Sequence, residues 1–131
     1  MAASGGVNAS FSFAGSTFDT SSCLQNTQIQ RTMNQITYNC AGVQQYVAGA
    51  KVYLFTYQMA LASTDTASVA ALAEGTTGTF EYHPGGDTAG NIEMTSTKGT
   101  SVQMNISAAV NGIITIDGQI GLNDLTDATA T

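Results

Sequence analysis

The residues of this chain that could do chemistry are few, and their spacing fits no catalytic motif. His83 is the only histidine, and no motif links it to a Ser or Cys nucleophile, so we expect a turn or packing residue. Glu81 and Glu93 could approach each other across a hairpin. Paired carboxylates serve glycosidases, but the chain has no tryptophan to form a sugar platform. We therefore interpret both glutamates as solvated strand residues.

Patterns for metal or phosphate binding are also weak. Residues 85–91 are rich in Gly, Asp and Asn but lack the regular acidic spacing of a calcium loop, which favours a plain loop between strands. Cys23 and Cys40 have no zinc-ligand spacing, and we expect both to be free, buried thiols. No glycine-rich phosphate loop occurs. The sequence predicts no enzyme, no metal site and no cofactor.

Charge is scarce in this sequence, and its balance is negative. Charged residues make up 9% of the 131 residues, against about 25% in typical soluble domains. Because interface cores are depleted in charge, this favours a subunit of an assembly over an uncharged extracellular β domain. Three basic residues against nine acidic ones exclude tight nucleic-acid binding, which needs several phosphate contacts. No apolar run reaches transmembrane length, and we expect no membrane partner.

The elements that must position these side chains are mainly strands, organised around residues 51–61. Alternation places one set of large side chains on a single face of this stretch. Apolar residues such as Val52 and Leu54 occupy the other face, so we expect both faces to be covered at the N-terminal end. The first set consists of Tyr53, Phe55, Tyr57, Met59 and Leu61.

A short helix is predicted directly after this strand, over residues 63–75. Ser63 or Thr64 can cap its N-terminus, with Asp65 in the favourable first turn, and Gly75 suits its C-terminus. So short a helix is marginal alone and must dock on the sheet. The apolar face that would dock consists of Val69, Leu72 and Ala73.

The remaining chain reads as short strands, turns and polar segments of a single domain. We expect a flexible arm at 1–7, a polar hairpin or loop at 25–45, a linker at 42–49 and a polar tail at 123–131. Turns are predicted at 98–99, 111–112 and 117–118. With seven or eight strands and no βαβ rhythm, the predicted fold is mainly β, an antiparallel β-sandwich or half-barrel with one short helix.

The order of the elements resembles that of a known family, the tail tube proteins of long-tailed bacteriophages. The likeness runs from about Val7 to Leu125 and is greatest to siphophage-type tails, especially those of phages with actinobacterial hosts. In chain order, its elements are a small N-terminal arm, Phe11-x-Phe13-x-Gly15, a polar hairpin, a long strand with Gln58 near its end, a short helix, Thr79-Phe80-Glu81-Tyr82-His83-Pro84, a Gly-rich loop and terminal strands reaching Asp124.

The resemblance implies a structural protein of the virion tail, assembled in the cytoplasm of a host bacterium. Subunits of this family join into hexameric rings, each lending strands to a β-barrel around a lumen, and the rings stack into a tube. The expected partners are other copies of the chain, the tape measure, terminator and distal tail proteins, and DNA in transient, non-specific passage. Closing strands into a ring also removes exposed sheet edges.

Two sets of residues are expected to act in such an assembly. Glu93 and Asp117 lie on polar faces of alternating strands, and we expect them to face the lumen, where carboxylates repel DNA phosphates. The alternative is that both lie on the outer surface, where acidic residues aid solubility. The resemblance implies that the polar hairpin mediates ring stacking. The expected contacts between rings are therefore Gln28, Gln30, Arg31, Asn34 and Gln35.

Two alternatives remain open at this point. A monomeric β-sandwich binding module, such as an adhesin or a carbohydrate-binding domain, would cluster aromatic residues on one surface, whereas here the aromatics are spread over the strands. A tail-completion or terminator subunit would share the fold and differ in forming single rings.

Overall fold

In the computed structural model, the described residues are 9–19, 23–86, 88–108, 110 and 112–130, and they form one sheet with one helix, α1 (Thr66–Ala71). The sheet has eight strands, and every pairing is antiparallel. The predicted fold class, mainly β and antiparallel with one short helix, is confirmed. The strands are β1 (Ser10–Phe13), β2 (Ser16–Phe18), β3 (Leu24–Cys40), β4 (Val43–Leu61), β5 (Thr77–His83), β6 (Ile92–Ala108), β7 (Ile114–Leu122) and β8 (Thr126–Thr129).

The sheet divides into two halves at β6, which changes partners along its length. Residues 92–95 of β6 pair with β8, and 94–96 pair with β5, whereas residues 99–108 pair mainly with β7. The strand order is β2-β1-β5-β6-β7-β4-β3, with β8 on β6. We call β1, β2, β5 and β8 the β5 half, and β3, β4 and β7 the β4 half; β6 belongs to both.

Aromatic side chains from both halves meet in the core. The ring of Phe55 in β4 lies 4.8 Å from the rings of Phe11 in β1 and Phe80 in β5, measured between centroids, and 4.9 Å from that of Tyr82. Because Phe55 contacts strands of the opposite half, the halves pack face to face as in a sandwich. The other largest fully buried apolar side chains are Phe13, Met59, Leu72, Ile116 and Ile120.

The second face of residues 51–61 is not covered as predicted. Val52 is exposed and Leu54 is half-buried. The reason is that α1 lies beside β2, where the two elements line one cavity, and so does not extend over this face. In the subunit, the prediction that both faces are covered is wrong.

The helix is shorter than predicted. It begins at Thr66 and its N-cap is Asp65, whose carboxylate accepts a hydrogen bond from the Ser68 backbone N–H at 3.1 Å. Asp65 therefore caps the helix instead of Ser63 or Thr64. Leu72 follows the last turn and is fully buried in the core, so the docking residue was predicted correctly although the helix bounds were not.

The predicted polar hairpin or loop at 25–45 is part of one longer hairpin, which also includes the linker predicted after it. β3 and β4 pair up to Cys40 and Val43, and Ala41 and Gly42 make the turn with positive φ angles of 52° and 83°. Such angles at both central positions are those of a type I′ turn, whose twist suits a hairpin. The predicted linker at 42–49 is therefore largely strand.

Two of the predicted turns are glycines inside continuous strands. A Cβ on Gly99 of β6 would lie 3.1 Å from side-chain atoms of both Ile120 and Leu122. A Cβ on Gly118 of β7 would overlap the Tyr57 hydroxyl and a backbone oxygen of β6. These glycines allow close packing, which is a common reason for glycine within a strand. The turns predicted at 98–99 and 117–118 are therefore wrong.

The predicted polar tail contains a strand that ties the two halves together. β8 pairs with β6, with Thr126 opposite Thr95 and Thr129 opposite Ile92. The Arg31 guanidinium of β3 donates two hydrogen bonds of 2.9 Å to the Asp127 carboxylate of β8. This bidentate pair joins the outermost strand of the β4 half to the β5 half.

The remaining predictions concern the cysteines and the chain ends. Cys23 and Cys40 are free, as expected, but both are exposed instead of buried, because one precedes β3 and the other ends it at the hairpin turn. The predicted arm at 1–7 and Asn111 of the predicted Asn-Gly turn lie outside the described residues.

Candidate assembly surfaces

The outer face of the β4 half carries mainly amide and hydroxyl side chains. Strand alternation and register place on this face residues of β3, β4, β7 and the end of β6. Among the described residues of β3, β4 and β7 and residues 103–107 of β6, Asp117 is the only charged residue on it. We call this surface the amide face; it is hydrophilic and weakly negative. Its other polar members are Asn26, Gln28, Gln30, Thr32, Thr56, Gln58, Thr115, Gln119, Gln103, Asn105 and Ser107.

Asp117 stands at the centre of this amide face, beside the buried hydroxyl of Tyr57. Asp117 pairs with Gln58 of β4 and with Asn105 of β6. The Tyr57 hydroxyl has no hydrogen-bond partner among the described residues. Burial, together with the negative charge of Asp117, raises the pKa of Tyr57 from 10.0 to about 12. The phenol thus stays neutral near the carboxylate.

The outer part of the β3–β4 hairpin, residues 34–50, extends beyond the core and exposes apolar side chains. It contains no charged residue. Register places Ile36 opposite Val47 and Cys40 opposite Val43 on one face, with Tyr38 and its partner Gln45 between them; Tyr38 is 53% exposed. On the other face, Tyr46 is 64% exposed among polar residues. A two-stranded ribbon is at best marginally stable in water, so this segment needs a covering partner.

A β-bulge separates this outer segment from the rest of the hairpin. Met33 pairs with Lys51 and Gln35 pairs with Ala48, so β4 carries one extra residue here. A Cβ on Gly49 would overlap the backbone of Asn34, and glycine therefore permits the close approach of the strands. Bulges bend a strand and increase its twist, which sets the direction in which the outer hairpin leaves the domain.

The five residues expected to contact a neighbouring ring do not form one surface. All five are exposed, but Gln28 and Gln30 lie on the amide face, and Arg31 lies on the opposite face, engaged by Asp127. Asn34 and Gln35 lie at the bulge. The apolar residues of the outer hairpin were missed, although the alternation of Ile36, Tyr38 and Cys40 was visible, because residues 42–49 were interpreted as a linker.

The two residues expected to face a lumen are also far apart in the sheet. Asp117 lies on the amide face of the β4 half, whereas Glu93 lies on the outer face of the β5 half. There Glu93 Oε1 is 3.9 Å from His83 Nε2, and Glu81 Oε1 is 3.4 Å from the same nitrogen. Because the halves pack through their inner faces, their outer faces point in opposite directions.

A carboxylate fixes the chain where β6 passes from one half to the other. Asp124 Oδ1 accepts hydrogen bonds from the Ser96 hydroxyl at 2.9 Å and from the backbone N–H and hydroxyl of Thr97 at 3.0 Å. These bonds, the one from Ser96 most, lower the pKa of Asp124. Its position suits a structural role at this corner.

Comparison with known proteins finds similarity in structure only. No family model matches the chain, and no curated protein matches it. A chain in the structure of the anti-feeding prophage cap, a tube-terminating cap, gives a TM-score of 0.74 at 9% identity, covering 99% of this chain and 93% of that one. A chain of the native gene transfer agent virion gives 0.71 at 11% identity, covering 97% and 100%. Hcp1 from Flavobacterium johnsoniae gives 0.59 at 11% identity, covering 94% and 96%.

The chain has the tail-tube fold. These three similarities each span more than nine-tenths of both chains, so the likeness concerns the whole domain. At such low identities the comparison establishes the fold alone. Within the described residues, no helix is long and apolar enough to cross a membrane.

Proposed function

We propose that this protein is a structural subunit of a phage-like tail tube, in which copies join into hexameric rings and the rings stack around a lumen that conducts DNA. The observation that carries the proposal is the outer hairpin, residues 34–50, which is uncharged, apolar on one face and uncovered in the subunit. Contiguous exposed apolar surface commonly marks a protein interface. A neighbouring copy, in the same ring or the next, would cover it.

The amide face is the surface best suited to line the lumen. Passage of DNA requires that the wall hold few positive charges, since each Lys or Arg adds a phosphate contact in every subunit of every ring. On the amide face, Asp117 alone is charged among the described residues, and it repels phosphate. We keep the lumen proposal to Asp117, because Glu93 lies on the opposite side of the domain.

Electron microscopy of the purified full chain tests the assembly. A tube subunit gives long tubes with a central channel at high protein concentration. The similarity to a tube-terminating cap favours a second candidate, a terminator, which would give single rings that do not stack. Monomers at every concentration in physiological salt would contradict both.

The lumen assignment is tested by reversing one charge at a time. Tubes of Asp117→Lys, assembled with short DNA duplexes at low salt, should retain nuclease-protected DNA, because one cation per subunit then faces the channel. Tubes of Glu93→Lys are the matched control. Their added cation lies away from the channel, so nuclease should digest any DNA that they bind. Equal protection in both variants, or in neither, would remove Asp117 from the channel wall.

A further inference from the structure

Three side chains of types that can bind metal ions converge on the outer face of the β5 half. Glu81 and His83 are two residues apart in β5 and so share a face. Tyr82 pairs with Met94, which places the next pair, His83 and Glu93, directly across the two strands. One donor atom from each of the three lies within 4.8 Å of the others.

The distances and burial resemble those of ligands around one ion. His83 Nε2 is 3.4 Å from Glu81 Oε1 and 3.9 Å from Glu93 Oε1. Ligands at about 2.0–2.2 Å from a tetrahedral or octahedral ion lie roughly 3.0–3.6 Å apart. A small rotation of the Glu93 side chain would bring its carboxylate within this distance of the His83 imidazole. The His83 side chain is 5% exposed, that of Glu93 18% and that of Glu81 43%. The imidazole is thus fixed within the protein, and Glu81 leaves an approach from solvent.

We propose that Glu81, His83 and Glu93 bind a divalent transition-metal ion of the Zn²⁺ class, with water completing its coordination. Imidazole nitrogen favours such ions over Ca²⁺ and Mg²⁺, which prefer oxygen ligands alone. Two carboxylates held close together repel each other, and the ion neutralises this charge. The sequence did not predict the site because its ligands come from two strands and form no linear motif.

The ion would fix the base of the loop between β5 and β6. This loop, residues 84–91, begins directly after His83 and ends just before Ile92. The Gly86 N–H donates a hydrogen bond of 3.1 Å to the His83 carbonyl and closes a turn at the start of the loop. The Asn91 side chain donates a hydrogen bond of 3.1 Å to the Gly85 carbonyl and so links the two ends. A metal bridge from β5 to β6 adds a second link between the ends. Its role is therefore structural, and it does not depend on the proposed tube.

Zinc titration of the metal-stripped full chain tests the site. Isothermal calorimetry should show one Zn²⁺ per chain, with affinity at least about tenfold weaker in Glu93→Gln, since loss of a ligand costs no less than loss of its outer-shell support. The melting temperature should rise with Zn²⁺ in the unmutated protein, because a ligand that binds only the folded state stabilises it, and should not rise in Glu93→Gln. Glu74→Gln, an exposed glutamate outside the cluster, is the matched control and should behave as the unmutated protein.

X-ray absorption at the zinc edge identifies the ligands in monomers or tubes alike. Because the chain has one histidine, a single imidazole per zinc assigns His83, whereas the exposed cysteines would appear as sulfur at about 2.3 Å. Absence of saturable binding, equal affinity in Glu93→Gln, or sulfur ligands without imidazole would overturn the proposal. The glutamate variants decide the test, because a change at the buried His83 can also unfold the domain; a melt without metal confirms that they fold.

Discussion

The strands β3 and β4 form two regions that differ in how they are covered: one packs in the core of the subunit, and the other extends beyond it without a covering partner. Near the core, β4 places Phe55 against aromatic rings from three positions of the facing half, and the subunit buries Phe55, Tyr57 and Met59 on this face. Beyond the bulge at Gln35 and Ala48, the strands continue with similar apolar residues, but nothing within the subunit covers them. The core therefore stabilises the subunit, while the outer hairpin is left to stabilise contacts between subunits.

The largest expected effect comes from removing an aromatic ring on the core side. Phe55→Ala should lower the free energy of unfolding by about 3–5 kcal/mol, the usual cost of deleting a buried Phe. Tyr46→Ala in the outer hairpin, where the ring is 64% exposed, should cost less than about 0.5 kcal/mol in the dissociated subunit. Urea unfolding of both variants measures the difference. Equal losses would mean that the two regions do not differ as described.

A smaller effect is expected at Leu72, which anchors α1 in the core. Because Leu72 is fully buried at the end of the helix, Leu72→Ala should cost about 2–5 kcal/mol. Val69→Ala is the matched control on the same helix, since Val69 is only half-buried, and should cost less. If thermal melts show that Leu72→Ala changes the free energy of unfolding by less than about 0.5 kcal/mol, α1 does not contribute to the core.

The smallest effect concerns Tyr57, where the core meets the amide face. Its buried hydroxyl has no partner among the described residues, so Tyr57→Phe should be neutral or raise stability by up to about 1–3 kcal/mol, the cost of an unsatisfied buried group. The pKa of Tyr57 is raised from 10.0 to about 12. Below pH 10 the phenol is neutral in both the folded and the unfolded chain, so stability does not depend on its titration. As pH rises from 10 towards 12 the phenol ionises in the unfolded chain first, and stability is lost until the folded-state pKa is reached. Melting temperatures at pH 9 to 12 should fall less steeply in Tyr57→Phe than in the unmutated protein; parallel curves would contradict the raised pKa.

The sequence predicted the core better than it predicted the assembly surfaces. Alternation in residues 51–61 identified Phe55, Tyr57 and Met59 correctly, because a buried face imposes period two on the sequence. The glycines at 99 and 118 were interpreted as turns, since the sequence does not show that a neighbouring side chain or backbone occupies the space of a Cβ.

Long-range contacts explain the other differences. Arg31 was expected to contact another ring, and only the fold brings Asp127 from the far end of the chain to its guanidinium. The long hairpin was divided at Gly42 because its outer face lacks a partner in the subunit, so its pattern is not the alternation of a buried strand. Surfaces without a covering partner in the subunit show a weaker alternation of apolar residues in the sequence than surfaces buried within it.

Assembly of two charge variants in the outer hairpin tests the central claim most directly. Tyr38→Glu places a charge on the apolar face, and Asn39→Glu places the same charge on the opposite, polar face of the same strand. We predict that both variants fold with melting temperatures close to that of the unmutated subunit. Sedimentation and electron microscopy should show that Tyr38→Glu stays dissociated while Asn39→Glu still forms tubes or rings. Normal assembly of Tyr38→Glu would contradict the claim that this hairpin face joins the subunits.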